Sequence, residues 1–278
     1  TTKLYALMMG VVGIAPILAP TFGGYLDVAF GWRSVFWLLT GLGAVLIVGV
    51  LALLPETLPP GGRSPLRLGA TFATYRDLVR NPGFAYPAVA LIAMFGLLFS
   101  YIGGSSYVYQ GAFGLTPSAF GLAFGACGVA MMFATLAVHR LAARFGSVRL
   151  ALAGGTIALA GSLGAAVLVV ANAPFAGFLA AIVAVAFGIG LTEPALMGRA
   201  MAAPKRGTGQ AAALLGSAQF LLGAAATAIA GIVAAQGALP WTLLLALFAA
   251  VVLALTWAGA RGARATPANG EVPSPRAR

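Results

Sequence analysis

The chain has 278 residues, of which 61% are hydrophobic and only 8% are charged, and its mean hydropathy is +0.99. Soluble globular domains are about 45–50% apolar and about 25% charged, so this composition excludes a soluble particle of this size. Because the apolar runs are continuous and lack the alternation of barrel strands, we predict an all-α polytopic membrane protein.

Eight apolar segments are long enough to cross a bilayer as helices, which takes about 20 residues each. They lie at residues 4–29, 33–54, 85–108, 117–138, 150–171, 174–197, 210–235 and 239–259. The longest connection, residues 55–84, begins with helix breakers and continues with apolar residues at helical spacing. This pattern predicts a short amphipathic helix on the membrane surface.

The basic residues predict the orientation of these spans, since Lys and Arg mark cytoplasmic loops. With eight spans, fifteen of the 16 Lys and Arg residues lie on one side of the membrane and only Arg33 lies on the other. Both ends of the chain are therefore expected in the cytoplasm, with residues 261–278 as a disordered tail. The net charge of +11 is assigned to membrane-side loops, so no nucleic-acid partner is expected.

The first span combines helix breakers with small residues along one face. Gly13, Pro16, Pro20, Gly24 and Asp27 are spaced three, four, four and three apart. Small residues let membrane helices approach closely, and neighbouring helices satisfy the carbonyls that prolines leave free. The pattern predicts a bent, tightly packed helix interface, and packing alone is the alternative to a functional role.

The stretch "APTFGG", residues 19–24, resembles the GPxxGG signature in the fifth helix of antiporters of the major facilitator superfamily. Ala19 stands where the first glycine of the signature usually lies, so a small residue still occupies this position. The resemblance implies a packing role for the residues of this motif. They are Gly13, Pro16, Ala19, Pro20, Gly23 and Gly24.

Longer stretches are similar to the Bcr/CflA drug-resistance transporters of that superfamily. They are "FGWRSVFWLLTGLGAVLIVGVLALLPETL", "FSYIGGSSYVYQGAFGLTPSAFGLAFG" and "GTGQAAALLGSAQFLLGA". Members have twelve spans in two six-helix bundles, so the resemblance implies that these eight are the fifth to the twelfth, in a fragment lacking the first four. Residues 1–54 would then end the N-terminal bundle, residues 55–84 would link the bundles, and residues 85–260 would form the C-terminal bundle.

The resemblance implies a transporter and not an enzyme. It implies secondary active efflux of small amphipathic drugs or metabolites across a bacterial inner membrane, by proton antiport and alternating access, in a protein that is a monomer at full length. No cofactor is expected, and no Gly-rich nucleotide loop is present in the sequence. The alternatives are a metabolite exporter or proton symporter of the same fold, or a non-functional fragment.

Neutral polar residues inside the spans are the candidates for a substrate cavity. We select Tyr101, Ser105 and Gln219, because a polar group in hydrocarbon needs a partner, and Met8 as an adaptable apolar wall. Core packing is the alternative for each. Tyr109 is assigned to the aromatic belt at the membrane interface.

Two carboxyl groups are candidates for a proton or cation site, since ionisable groups in a span are functional by default. Glu193 lies two helical turns from the end of its span, and its alternative is an ion pair with Arg199 or Lys205. Asp27 lies near Arg33, and an interfacial pair is its alternative.

The loop "HRLAARFGSVR", residues 139–149, resembles a family loop motif at Arg144 and Gly146, with Ala143 at the acidic position. A basic anchor for topology is the alternative to a role in a charge relay. The lone Cys127, inside a span, offers neither an intramolecular disulfide nor a metal site.

Overall fold

A computed structural model describes residues 22–23, 25–26, 29–53, 55, 68–204 and 207–265. The chain divides into two units, Thr1–Thr71 and Phe72–Arg278. All regular secondary structure in these described parts is helical.

The first unit contains helix α1, Arg33–Leu53, which matches the predicted span at residues 33–54. Gly31, with φ of 78°, forms the turn before it, and the Ser34 hydroxyl donates to the Gly31 carbonyl at 2.7 Å. No residue of α1 is buried. The predicted first span, residues 4–29, lies outside the described residues except for short pieces.

Helix α2, Leu68–Arg80, lies within the predicted connection at residues 55–84. Its Leu78 is buried and Tyr75 packs on the same core, whereas Phe72 and Val79 are exposed. Six further helices make up most of the second unit. They are α3 (Pro82–Ser106), α4 (Pro117–Phe145), α5 (Ser147–Val170), α6 (Phe175–Ala202), α7 (Thr208–Ala235) and α8 (Ala238–Ala265).

Proline marks the start of two of these helices. Asn81 caps α3 by accepting a hydrogen bond from the Gly83 backbone N–H at 2.9 Å, with Pro82 in the first turn. The Thr116 side chain caps α4 in the same way, at 3.3 Å from the Ala119 N–H, ahead of Pro117. A proline costs nothing at these positions, where its missing N–H has no helical partner.

Helix α3 packs against α6, α7 and α8, while α5 packs against α6 and α8. Glycines allow a close approach between α5 and α6. A Cβ at Gly154 would meet the Gly188 carbonyl oxygen at 2.7 Å, and one at Gly161 would meet the Ala181 carbonyl oxygen at the same distance. The six helices therefore share one core of small and apolar residues.

Seven helices of the described residues are long and apolar enough to cross a membrane, namely α1 and α3 to α8. They coincide with seven of the eight predicted spans, which confirms the all-α polytopic class. Three helices run past the predicted ends, since α4 continues to Phe145, α6 to Ala202 and α8 to Ala265. Hydropathy marks the apolar part of a helix, and these extensions carry Arg residues that helices tolerate well.

Candidate functional site

The predicted cavity residues of the second unit are all buried. Tyr101 and Ser105 lie one turn apart on α3, at 5% and 0% exposure. Gln219 lies on α7 at 5% exposure, on the same face as Gly223, which contacts the Phe99 ring of α3. Ser105 donates to the Ile102 carbonyl at 3.1 Å within its own helix. Met8 lies outside the described residues.

Tyr101 belongs to a group of buried and half-buried rings where α3 ends and α4, α6 and α8 begin. The Tyr101 ring stacks on Phe124 with centroids 5.3 Å apart, and lies 6.4 Å from Trp241. We call this group the aromatic cluster. Its members are Tyr101, Tyr109, Phe113, Phe120, Phe124, Phe175, Phe178 and Trp241.

Tyr109 lies at the centre of the aromatic cluster. Its ring makes edge contacts with Phe120 at 5.9 Å, Phe175 at 5.4 Å and Trp241 at 6.4 Å between centroids. It lies in the π-helical segment Tyr107–Ala112, which follows α3. Segments of this kind occur often at functional sites.

The aromatic cluster also contains buried polar atoms without hydrogen-bond partners among the described residues. They are the side-chain oxygens of Ser100, Tyr101 and Tyr109. The Tyr101 and Tyr109 hydroxyls and the Cys127 thiol are close enough to interact electrostatically, although the hydroxyls make no hydrogen bond of good geometry. Buried polar groups are nearly always paired, so these oxygens are candidates for contact with a ligand.

Trp241 holds the aromatic cluster against α3. Its indole Nε1–H donates to the Ser100 carbonyl at 2.9 Å, across 141 residues of sequence. Gly104 leaves room for the indole, because a Cβ at that position would collide with the Trp241 ring. The close approach of the Trp241 ring to α3 therefore requires glycine at position 104.

The assignment of Tyr109 to the aromatic belt is wrong, because its side chain is 0% exposed and surrounded by protein rings. The sequence does carry a signal for this burial. Tyr109 follows Tyr101 by eight residues and Ser105 by four, which places all three on one helical face. No pattern in the sequence indicates Trp241, because its partner on α3 is far away in the chain.

Glu193 is half-buried on α6, beside Pro194. It makes no ion pair with Arg199, which was one of its two possible partners, and Lys205 lies outside the described residues. The adjacent Thr192 is fully buried and donates to the Gly188 carbonyl at 2.8 Å. Glu193 is the only acidic residue between positions 82 and 265.

The other predicted site residues fall into two groups. Gly13, Pro16, Ala19, Pro20, Gly24 and Asp27 lie outside the described residues. Gly23 is described, and a Cβ built on it would meet no described atom within 4 Å. The packing role of this motif stays a prediction.

Gly146 forms the tight turn between α4 and α5, with φ of 82° and ψ of 148°. L-residues with a side chain rarely adopt this conformation, so the backbone of the turn explains why position 146 is a glycine. Arg144 is exposed, and its guanidinium carbon lies 5.4 Å from the centre of the Phe145 ring. No described acidic residue accompanies it, so the described structure gives Arg144 no partner for a charge relay.

These features define a class of protein. Six packed, membrane-length helices enclose an uncharged cluster of aromatic rings and hydroxyls, as in a multi-pass membrane protein. The described residues contain no group of three His, Cys, Asp or Glu side chains suited to a metal ion. A family model for the Major Facilitator Superfamily matches residues 1–227, and the chain belongs to that superfamily.

Curated relatives fit the same family. The chain is 29% identical over 240 residues to an uncharacterized MFS-type transporter, YdgK, of Bacillus subtilis, covering 83% of this chain and 58% of the relative. It is 28% identical over 228 residues to a bicyclomycin resistance protein homolog of Haemophilus influenzae, covering 80% and 56%. It is 28% identical over 221 residues to the multidrug transporter MdfA of Escherichia coli, covering 79% and 54%. The matches thus span little more than half the length of these relatives.

Proposed function

We propose that this chain is part of a Bcr/CflA-type transporter that exports small, amphipathic, mostly uncharged drugs or metabolites in exchange for protons. The observation that carries the proposal is the aromatic cluster, whose hydroxyls make no well-aligned hydrogen bond with described residues and are buried in a bundle that contains one carboxyl group. The names of the relatives, which refer to multidrug transport and bicyclomycin resistance, support the same substrate class.

The proposed substrate contacts are aromatic faces and neutral hydrogen-bond donors. The Tyr101 and Tyr109 hydroxyls make no hydrogen bond of good geometry with any described residue, and a buried unsatisfied group costs about 1–3 kcal/mol. A ligand that accepts hydrogen bonds removes this cost, while its flat apolar part stacks on the rings. Gln219 is proposed as a further polar contact from α7. A site without charge favours uncharged substrates over ions.

Glu193 is proposed as one proton carrier of the exchange. A half-buried carboxyl that is not paired with Arg199 can alternate between its neutral and ionised forms as its surroundings change. Asp27, in the first predicted span, is the second candidate. In alternating access, two bundles rock about a site near the membrane midplane, so that substrate and proton leave from opposite states.

The domain assignment and orientation belong to the same proposal. We assign residues 85–260 to the C-terminal six-helix bundle, residues 55–84 to the cytoplasmic link, and residues 1–54 to the end of the N-terminal bundle. The distribution of Lys and Arg supports a cytoplasmic C-terminus in a bacterial inner membrane.

The test is drug uptake into inverted membrane vesicles that contain the transporter, with and without an imposed pH gradient. We expect accumulation that collapses when a protonophore removes the gradient. Glu193→Gln should reduce gradient-driven uptake while leaving drug binding intact. The matched control is Asp77→Asn, which removes an exposed carboxylate on α2 that lies 3.7 Å from Arg76.

Two results would contradict parts of this proposal separately. Uptake that is independent of any ion gradient would overturn secondary active transport. Gradient-driven uptake that is the same in Glu193→Gln and in the unmodified protein would overturn the role of Glu193 and leave the efflux function standing.

A further inference from the structure

A groove lies at the end of the second unit opposite the aromatic cluster, where α4, α6 and α8 end and α5 begins. Its volume is about 540 Å³. We call it the basic groove. Its lining residues are Phe145, Gly146, Ser147, Val148, Arg149, Arg199 and Ala260.

The charge of the basic groove comes from two arginines on different helices. Arg149 lies in the first turn of α5 and is exposed, while Arg199 lies in the last turn of α6 and is half-buried. Neither forms an ion pair with any described residue, and no acidic side chain lines the groove. Two unneutralised guanidinium groups in one concave space attract an anion, and guanidinium binds phosphate through paired hydrogen bonds.

The basic groove also has an apolar wall, the Phe145 ring, which is 44% exposed. The space next to the groove, between Val148, Arg199 and Leu196, is closed by packing and measures only about 10 Å³. A cationic groove beside an exposed apolar ring matches a phospholipid, which carries a phosphate on a hydrocarbon body. A free phosphate ion would not use the apolar wall.

The position of the groove fits the same ligand. It lies at the ends of membrane-length helices, and its lining residue Ala260 is one turn along α8 from Trp257, whose ring is covered by the Arg261 guanidinium at 3.5 Å. Trp and Arg are typical of the level of lipid headgroups. Basic pockets between helix ends on the cytoplasmic side are known binding places for anionic headgroups.

We propose that the basic groove binds the phosphate headgroup of an anionic membrane lipid, with Arg149 and Arg199 holding the phosphate and the exposed Phe145 ring contacting the start of the acyl chains. This site goes beyond the proposed transport function, because lipid binding here needs neither a substrate nor a proton gradient. The bound lipid would bridge α5, α6 and α8 at this end of the bundle.

The test is the retention of phosphatidylglycerol by the purified transporter in neutral detergent, measured by native mass spectrometry against phosphatidylcholine. The variant Arg149→Gln with Arg199→Gln removes both charges. Each basic residue near the surface contributes about fivefold in affinity for anionic lipid, so the double variant should bind phosphatidylglycerol roughly 25-fold more weakly. The matched control, Arg80→Gln with Arg140→Gln, removes two exposed arginines that do not line the groove, and should retain the lipid.

A second variant covers the case in which the first does not fold. Arg149→Lys with Arg199→Lys keeps both charges, and we expect it to prefer phosphatidylglycerol over phosphatidylcholine. The proposal is overturned if the control loses as much lipid as the groove variant, or if the lysine variant shows no preference. It is also overturned if millimolar inorganic phosphate displaces the lipid, because the groove would then be a site for free phosphate.

Discussion

The two ends of the six-helix unit are built from the same helices and held together in different ways. At the aromatic end, side chains fill the interior, and Trp241, Tyr109 and Phe178 are all 0% exposed. At the other end, the backbone turn at Gly146 joins α4 to α5, and a groove with Arg149 and Arg199 stays open. The aromatic end is closed by packed rings, whereas the other end keeps an open groove with two unpaired arginines beside a glycine turn.

Gly104→Ala should have the largest effect, at the aromatic end. The new Cβ collides with the Trp241 indole, which is fully buried, and overpacking a core of this kind costs up to about 3 kcal/mol. We expect a lower midpoint in thermal unfolding followed by fluorescence-detected size exclusion. Gly125→Ala is the control, because a Cβ there meets nothing within 4 Å. Equal stability of the two variants would show that the aromatic end is loosely packed.

Gly146→Ala should have the next largest effect, at the end with the basic groove. With φ of 82° and ψ of 148°, an L-residue is strained by about 1–2 kcal/mol, although a Cβ would meet no atom within 4 Å. The same unfolding assay checks this. Gly164→Ala, in the middle of α5 and also without contacts within 4 Å, should be neutral or slightly stabilising. A neutral Gly146→Ala would mean that the turn adopts a different backbone conformation.

Trp241→Phe should cost about 1 kcal/mol, because it removes the hydrogen bond to the Ser100 carbonyl and part of the buried ring. Its intrinsic fluorescence should lose the contribution of a fully buried indole. Trp257→Phe is the control, since that ring is 49% exposed. If Trp257→Phe is the more destabilising of the two, then the indole of Trp241 does not hold α8 against α3.

Tyr109→Phe and Tyr101→Phe should have the smallest effect on stability. Their hydroxyls have no hydrogen-bond partner among the described residues, so their removal should change the free energy of unfolding by less than about 0.5 kcal/mol or raise it. Drug export should fall in both variants, and Tyr107→Phe, at a ring that is 55% exposed, should leave it unchanged. A loss of more than about 1 kcal/mol would indicate that the hydroxyl is already bonded, for example to the Cys127 sulfur.

The sequence predicted the helices well because hydropathy over about 20 residues is a strong signal. The predicted span at 150–171 became Ser147–Val170, and the span at 210–235 became Thr208–Ala235. Hydropathy was less informative about which helices are buried. The spans Pro82–Ala112 and Pro117–Val138 have the same hydropathy of 1.9, yet 56% of the first window is buried and only 22% of the second.

Much of the candidate site depends on contacts between distant residues, which hydropathy does not encode. Tyr101, Ser105 and Gln219 were found because a polar residue in an apolar run is visible in the sequence. Trp241 could not be predicted because its role depends on a hydrogen bond to the Ser100 carbonyl of α3, 141 residues away in the chain. Tyr109 lies near the end of its span, as aromatic-belt residues do, but its helical face turns it towards the neighbouring rings.

The most direct test of the central claim is the alkylation of Cys127, the single cysteine of this chain, by a membrane-permeant maleimide, with any other cysteine of the transporter replaced by serine. Cys127 is buried beside Tyr101 and Tyr109, so it reacts only when the aromatic cluster opens. If the aromatic cluster binds substrate during transport, alkylation should be slow and should be slowed further by an exported drug. Alkylation at a rate that exported drugs do not change, or none at all in an actively transporting protein, would contradict this account.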